Sequence, residues 1–137
     1  MSQDTMPLHF TNTLAKLPHN LSECKMLLNF KQTGTGPVVV IMHGLFGSLE
    51  NLNVIAKALS EHYTVINVDL RNHGASFHEN EVSYPAMALD VLNLLDELNI
   101  DKAHIIGHSM GGKVAMQLAM LDEARINKLV VLDIAPV

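Results

Sequence analysis

The chain has 137 residues, 48% hydrophobic and 17% charged, a balance that suits one globular domain or part of one and can bury a real core. Its net charge of −5, with no basic cluster, argues against a nucleic-acid partner, and no apolar run approaches the roughly 20 residues that a membrane helix needs. The single cysteine, Cys24, excludes an internal disulfide, and residues 1–20 lack the charged and apolar regions of a secretory signal, so the expectation is a soluble, cytoplasmic protein.

Residues 1–24 show no period and are expected to be an irregular lead-in to one domain over 25–137. From Lys25 to Lys31, Met26, Leu28 and Phe30 alternate with mostly polar neighbours, the pattern of a half-buried strand. Gly34-Thr35-Gly36-Pro37 reads as a turn. Val38 to Met42 is a continuous, mostly β-branched run, expected to be a strand buried on both faces, and it stops at His43-Gly44. Ser48 can cap a helix from about Leu49 to Ser60, with Leu52, Ile55 and Leu59 on one face. Tyr63 to Val68 is a second buried strand, followed by a polar loop from Asp69 to Ser76, in which Asp69 and Arg71 can pair. Pro85 suits a first helical turn, and Met87, Val91, Leu94, Leu95 and Leu98 then fall on one helical face. Ala103 to Ile106 is a short strand, Val114, Leu118 and Leu121 anchor the next helix, and Leu129 to Leu132 reads as a last buried strand. Val- and Ile-rich strands alternating with helices predict an α/β protein, a parallel sheet covered on both faces.

The most informative residues are Gly107-His108-Ser109-Met110-Gly111-Gly112, a G-x-S-x-G pattern between a predicted strand and a predicted helix. A serine hydroxyl is a weak nucleophile and needs exposure, a base and nearby hydrogen-bond donors. A sharp strand-to-helix turn supplies the exposure, and the flanking glycines leave room for it. The Met110 amide, at the helix start, can then face a developing oxyanion.

Three segments together resemble the α/β-hydrolase superfamily. His43-Gly44-Leu45-Phe46-Gly47-Ser48 is similar to its oxyanion loop, Asp69-Leu70-Arg71-Asn72-His73-Gly74-Ala75-Ser76 to its D-x-R-x-x-G-x-S loop, and the Ser109 segment to its nucleophile elbow. The wording of these motifs, with SYPAMA and LDIAPV, resembles the YbfF-type esterase group over about residues 25–137, the front half of that family's domain. The resemblance implies a parallel-sheet α/β-hydrolase fold, truncated after about the sixth strand, with the cap and the C-terminal strands absent.

It also implies roles. Ser109 is the expected nucleophile. The main-chain amides of Leu45 and Met110 are the expected oxyanion donors, with Phe46 second to Leu45, and Leu45 and Phe46 also line an acyl pocket. Asp133, 24 positions after Ser109, is the expected triad acid. Its alternative role is to cap a turn before Pro136. His43 is expected to order the oxyanion loop, His108 to flank Ser109 with its ring turned aside, and His73 to sit near the site without acting as the base. His104 is expected to be packed, and His9, His19, His62 and His78 to be on the surface. The family's histidine follows its final strand, which puts it beyond Val137, so the C-terminal half of the fold is expected from a longer or second chain.

The expected function is a serine esterase or thioesterase that forms an acyl-enzyme on Ser109 with short- to medium-chain acyl esters, acyl-CoA thioesters included. The partner is thus a small-molecule ester or thioester, with no cofactor and no metal. Two alternatives stay open: acyl transfer to an alcohol on the same fold, and a catalytically silent fragment that lacks the triad histidine.

Overall fold

The structure, a computed structural model, describes residues 26–132. Five strands form one sheet: β1 (Phe30–Thr33), β2 (Val38–Met42), β3 (Thr64–Val68), β4 (Ala103–His108) and β5 (Ile126–Leu132), in the spatial order β1-β3-β2-β4-β5. Helices α1 (Asn53–Leu59), α2 (Tyr84–Glu97) and α3 (Met110–Leu121) make the crossovers. The pairs β2–β3, β2–β4 and β4–β5 are parallel. This is the expected α/β architecture.

The β2 run is buried throughout Val39–Met42, as a strand covered on both faces should be. Its side chains alternate between two cores. Val40 and Met42 join Met87, Val91, Leu94 and Leu95 of α2 and Val114 and Leu118 of α3. Val39 and Ile41 join Leu52, Ala56 and Val65 beneath α1. The α2 start is the one that the sequence indicates: Ser83 caps it, its side chain accepting from the Ala86 amide, and Pro85 lies in the first turn.

Several boundaries and one direction differ from the sequence reading. The first strand starts at Phe30, not Lys25, and β1 runs antiparallel to β3, so the sheet is mixed. Leu28 is buried in the core without belonging to the ladder, which is why the apolar alternation begins before the strand does. The predicted 49–60 helix opens as a 3-10 turn, Leu49–Leu52, and becomes α-helical at Asn53. Hydrogen bonds from Asn67 to the Leu49 carbonyl and from the Leu49 amide to Asp69 hold that tighter start. The described residues contain five strands, the number that the sequence pattern predicts. The last of them begins at Ile126 and, among the described residues, pairs with β4 alone, leaving Leu129, Val130 and Val131 each more than a third exposed.

Asp69 and Arg71 do not pair. The Arg71 guanidinium instead forks onto Asp90 of α2, with Nε 2.6 Å from Oδ2 and Nη2 2.8 Å from Oδ1, while Nη1 donates to the Glu81 carbonyl. Both side chains are largely buried, 11% and 6% exposed, so the pair ties the loop after β3 to α2 away from water. Removing one partner strands the other charge. Asp90→Ala is expected to cost about 3 kcal/mol in urea unfolding, and an Arg71→Met/Asp90→Leu double substitution less than Asp90→Ala alone. A double variant weaker than the single one would show that the charges themselves stabilise the fold.

Candidate active site

Ser109 sits between β4 and α3 with φ 57° and ψ −116°, a backbone region that side-chain-bearing residues rarely enter. The turn is held from both sides. The Ser109 amide donates to the Leu132 carbonyl of β5 at 3.3 Å, and its carbonyl accepts from the Gly112 amide at 2.9 Å. Three glycines make the turn possible. A Cβ on Gly107 would strike the Gly111 carbonyl, and one on Gly111 would strike the Met42 and His43 carbonyls. One on Gly112 would press Val131 at 2.7 Å. The Ser109 side chain makes no capping bond to α3, so the hydroxyl is not serving as a helix cap. Met110 is the first residue of α3, where an amide has no acceptor within the helix and the helix dipole is positive.

The loop after β2 lies against this turn. A Cβ on Gly44 would come within 3.1 Å of the Ser109 Cβ and 3.4 Å of His108 Nδ1. Gly44 to Gly47 is a β-turn, closed by the Gly47 amide donating to the Gly44 carbonyl at 3.0 Å. Phe46 holds its third position at φ 62°, a place that usually favours glycine. It is 90% exposed and Leu45 is 58% exposed, so two large apolar side chains stand in the open on the loop whose Gly44 lies against Ser109.

Buried polar groups brace the loops. His43 is fully buried, its Nδ1–H donating to the Gly44 carbonyl at 2.7 Å while its Nε2 accepts from the Leu70 amide at 3.0 Å. The amide can only donate, so this pattern requires the neutral Nδ1–H tautomer. Burial holds the His43 pKa below its ordinary value; the Gly44 carbonyl opposes that shift, and nearby His73 reinforces it. Asp69 is 3% exposed and accepts from the Leu49 amide at 2.7 Å and from the Ala75 amide and Asn29 Nδ2 at 2.9 Å each. Burial alone would raise its pKa, but the Ala75 and Leu49 amides, then Asn29 and His43, together bring it below the usual value. Together these two residues connect the lead-in to β1, the loop after β2 and the loop after β3.

Of the residues picked out in the sequence, Ser109, Met110, Leu45, His43 and His108 gather at the C-terminal edge of the sheet, with Phe46 exposed in the same loop. His43 hydrogen bonds to the Gly44 carbonyl within its loop and to the Leu70 amide of the next one. The rings of His43 and His73 are 5.1 Å apart, and His73 Nδ1 is 2.8 Å from the Arg71 carbonyl. His108 is exposed, and His104 packs edge-on to Tyr63, 5.8 Å between ring centres. His62 and His78 are exposed. His9, His19 and Asp133 lie outside the described residues. Among the described residues no histidine hydrogen bonds to Ser109, and no cluster of three metal-binding side chains occurs. Sequence reading expected Asp69 to brace its loop by pairing with Arg71; its partners are instead the Leu49 and Ala75 amides and Asn29. An aspartate at a strand end followed by Gly74-Ala75 was their only signal, and a Cβ on Gly74 would collide with the Asp69 carboxylate.

The α/β-hydrolase fold family matches residues 37–137, and the chain belongs to that family. It is 54% identical over 99 residues to esterase YbfF of Escherichia coli, an alignment that spans 72% of this chain and 39% of that protein. It is 47% identical over 105 residues to the sn-1-specific diacylglycerol lipase ABHD11 of Mus musculus, covering 75% of this chain and 34% of the relative. Among solved structures, a marine microorganism esterase superposes with a TM-score of 0.78 at 41% identity, over 82% of this chain and 43% of that one. The chain thus spans about two fifths of the length of the relatives that it matches.

Two outcomes test this geometry. Glycine normally destabilises a folded chain relative to alanine, but at Ser109 the order should invert, because only glycine enters φ 57°, ψ −116° without strain. Ser109→Gly is expected to be more stable than Ser109→Ala by about 1 kcal/mol in urea unfolding; the ordinary order would exclude a strained turn. The second outcome concerns pH. The unfolded chain binds a proton at His43 more readily than the folded one, so the His43 contribution is complete above pH 6.5 and is lost as pH falls toward the lower folded value. Asp69 adds a further loss below its unfolded value of 3.8. The urea midpoint should drop between pH 7.5 and 5.5, and by less in His43→Asn, which carries no titrating ring.

Proposed function

We propose that this chain carries the nucleophile half of a serine esterase or thioesterase. Ser109 Oγ attacks the acyl carbon of an ester or thioester, and its proton passes to a histidine base from polypeptide beyond Val137. The Leu45 and Met110 amides receive the oxyanion. The intermediate collapses as the alcohol or thiol leaves with the proton, and water then cleaves the acyl-enzyme. Asp133 orients the histidine and stabilises its imidazolium form. Leu45 and Phe46, exposed on the loop whose Gly44 lies against the serine, form the apolar wall for a short or medium acyl chain, in free esters or in acyl-CoA. The reaction uses no cofactor, and the protein acts in the cytoplasm.

The observation that carries this reading is the backbone of Ser109, held at a disfavoured φ and ψ between a strand and the amino end of a helix. Strain kept at one serine, with a helix dipole behind it, suits an exposed nucleophile. The names of the relatives, two esterases and a lipase, lend weight to ester chemistry.

A fluorophosphonate probe tests it. The intact protein is expected to take one label, mapped by mass spectrometry to Ser109, and Ser109→Ala is expected to take none and to lose at least about 10⁴-fold in ester hydrolysis. A folded protein that hydrolyses esters without labelling at Ser109 would overturn the assignment. Hydrolysis in the presence of added alcohol separates water from alcohol as the acyl acceptor.

A further inference from the structure

A groove of about 460 Å³ runs between α1 and the edge strand β1. Its floor follows from register. Lys31 lies opposite Asn67, and Thr33 opposite Val65, so Lys31, Thr33 and Asn67 share the sheet face that α1 covers. Its wall is a stripe at helical spacing, Asn53 and Lys57 of α1 and Ser60, the residue that caps its C-terminus. The packing of α1 is done by the adjoining stripe of Leu52, Ile55, Ala56 and Leu59. Lys31 on one side and Lys57 on the other, with Asn53, Ser60 and Asn67 between them on a lining that also includes Ala56, suit an occupant that carries a negative charge and a hydroxyl.

Asn67 gives the occupant a second requirement. Its side-chain Nδ2 donates to the Leu49 carbonyl at 2.9 Å and to Asn53 Oδ1 at 3.3 Å. Asn67 is 2% exposed, and its Oδ1 is the one buried side-chain polar atom without a partner among the described residues. Buried acceptors are nearly always paired, and this one needs a donor. A single water would satisfy the oxygen but would use neither the lysines nor the volume. Lys31, directly across from Asn67, has a side chain 59% exposed and only a 3.9 Å contact with Glu50, so it can move to admit a ligand. Lys57 makes no ion pair among the described residues.

We infer that this groove binds a small hydroxylated anion of the polyol-phosphate class, a hydroxyl donating to Asn67 Oδ1 and the phosphate lying between Lys31 and Lys57. The site is separate from Ser109 and does not depend on the esterase reading. Because Asn67 also holds the Leu49 carbonyl, the ligand would sit behind the 3-10 turn that follows the loop of Leu45 and Phe46.

The test is a titration of the ¹⁵N-labelled full chain with glycerol 3-phosphate, followed by NMR. The Asn67 side-chain amide and the Lys57 and Ser60 backbone amides are expected to shift saturably. Inorganic phosphate and glycerol are each expected to bind at least about tenfold more weakly, because each supplies one contact of the two. Lys57→Glu, an exposed substitution that spares the fold, is expected to weaken glycerol 3-phosphate by about tenfold or more. The absence of saturable shifts would overturn the inference. So would phosphate binding as tightly as glycerol 3-phosphate, or indifference to Lys57→Glu; any of these would leave a bound water as the partner of Asn67.

Discussion

Gly111 stands so close to the end of β2 that a Cβ there would run into the Met42 and His43 carbonyls. This contact fixes most of the site. It brings the first turn of α3 down onto the sheet, which forces the chain to reverse within one residue, and that residue is Ser109. The same closeness brings Gly44 against Ser109, so the loop after β2 and the turn after β4 become two sides of one small space. The interior of a protein is packed like a crystal, so such an approach leaves no room for partial adjustment. Each glycine in the turn clears a different collision: Gly107 with the helix start, Gly111 with β2 and Gly112 with β5.

The loops above the sheet have few apolar side chains with which to hold this arrangement. Leu45 and Phe46 face outward, and the loop from Asp69 to Ser76 is mostly polar. Rigidity comes instead from buried polar groups that have all their partners. Asp69 satisfies three donors from three segments, and His43 accepts one amide and donates to one carbonyl. Burial of such groups is costly unless every bond is made, which makes the network intolerant of alternatives and so selective for one loop geometry. Burial and hydrogen bonding together set the opposite protonation habits of the two residues: burial keeps His43 neutral, and donated hydrogen bonds keep Asp69 charged against the cost of burial. Both have lowered pKa values, which keeps Asp69 charged and His43 neutral, the forms that their hydrogen bonds require.

The parts legible in the sequence were those with a strong local signal. The buried β2 run, the Ser83-capped α2 and the strand-serine-helix junction were each encoded by consecutive residues. What the sequence left out depended on distant partners. Nothing within the polar loop says that Arg71 reaches past Asp69 to Asp90, because α2 is brought alongside only by the fold. The direction of β1 is likewise set by its pairing with β3, since an amphipathic strand reads the same in both directions. The early placement of β1 came from Leu28, whose burial mimics strand alternation without a ladder. Asn67 reads as an ordinary strand residue until α1 is laid over it.

The elbow and the outer strand are mechanically linked. The Ser109 amide, at the strained position, donates to the Leu132 carbonyl at the end of β5. Among the described residues that strand is paired on one side, by β4, and its Leu129, Val130 and Val131 remain partly exposed. Edge strands open more easily than interior ones, because fewer buried contacts oppose their separation. The bond that helps to hold Ser109 in its disfavoured conformation is therefore anchored on a strand that pairs with β4 alone among the described residues. Any polypeptide that covers β5 would make Leu132 a firmer acceptor, and the strain at Ser109 would then be held by an interior strand rather than by an edge.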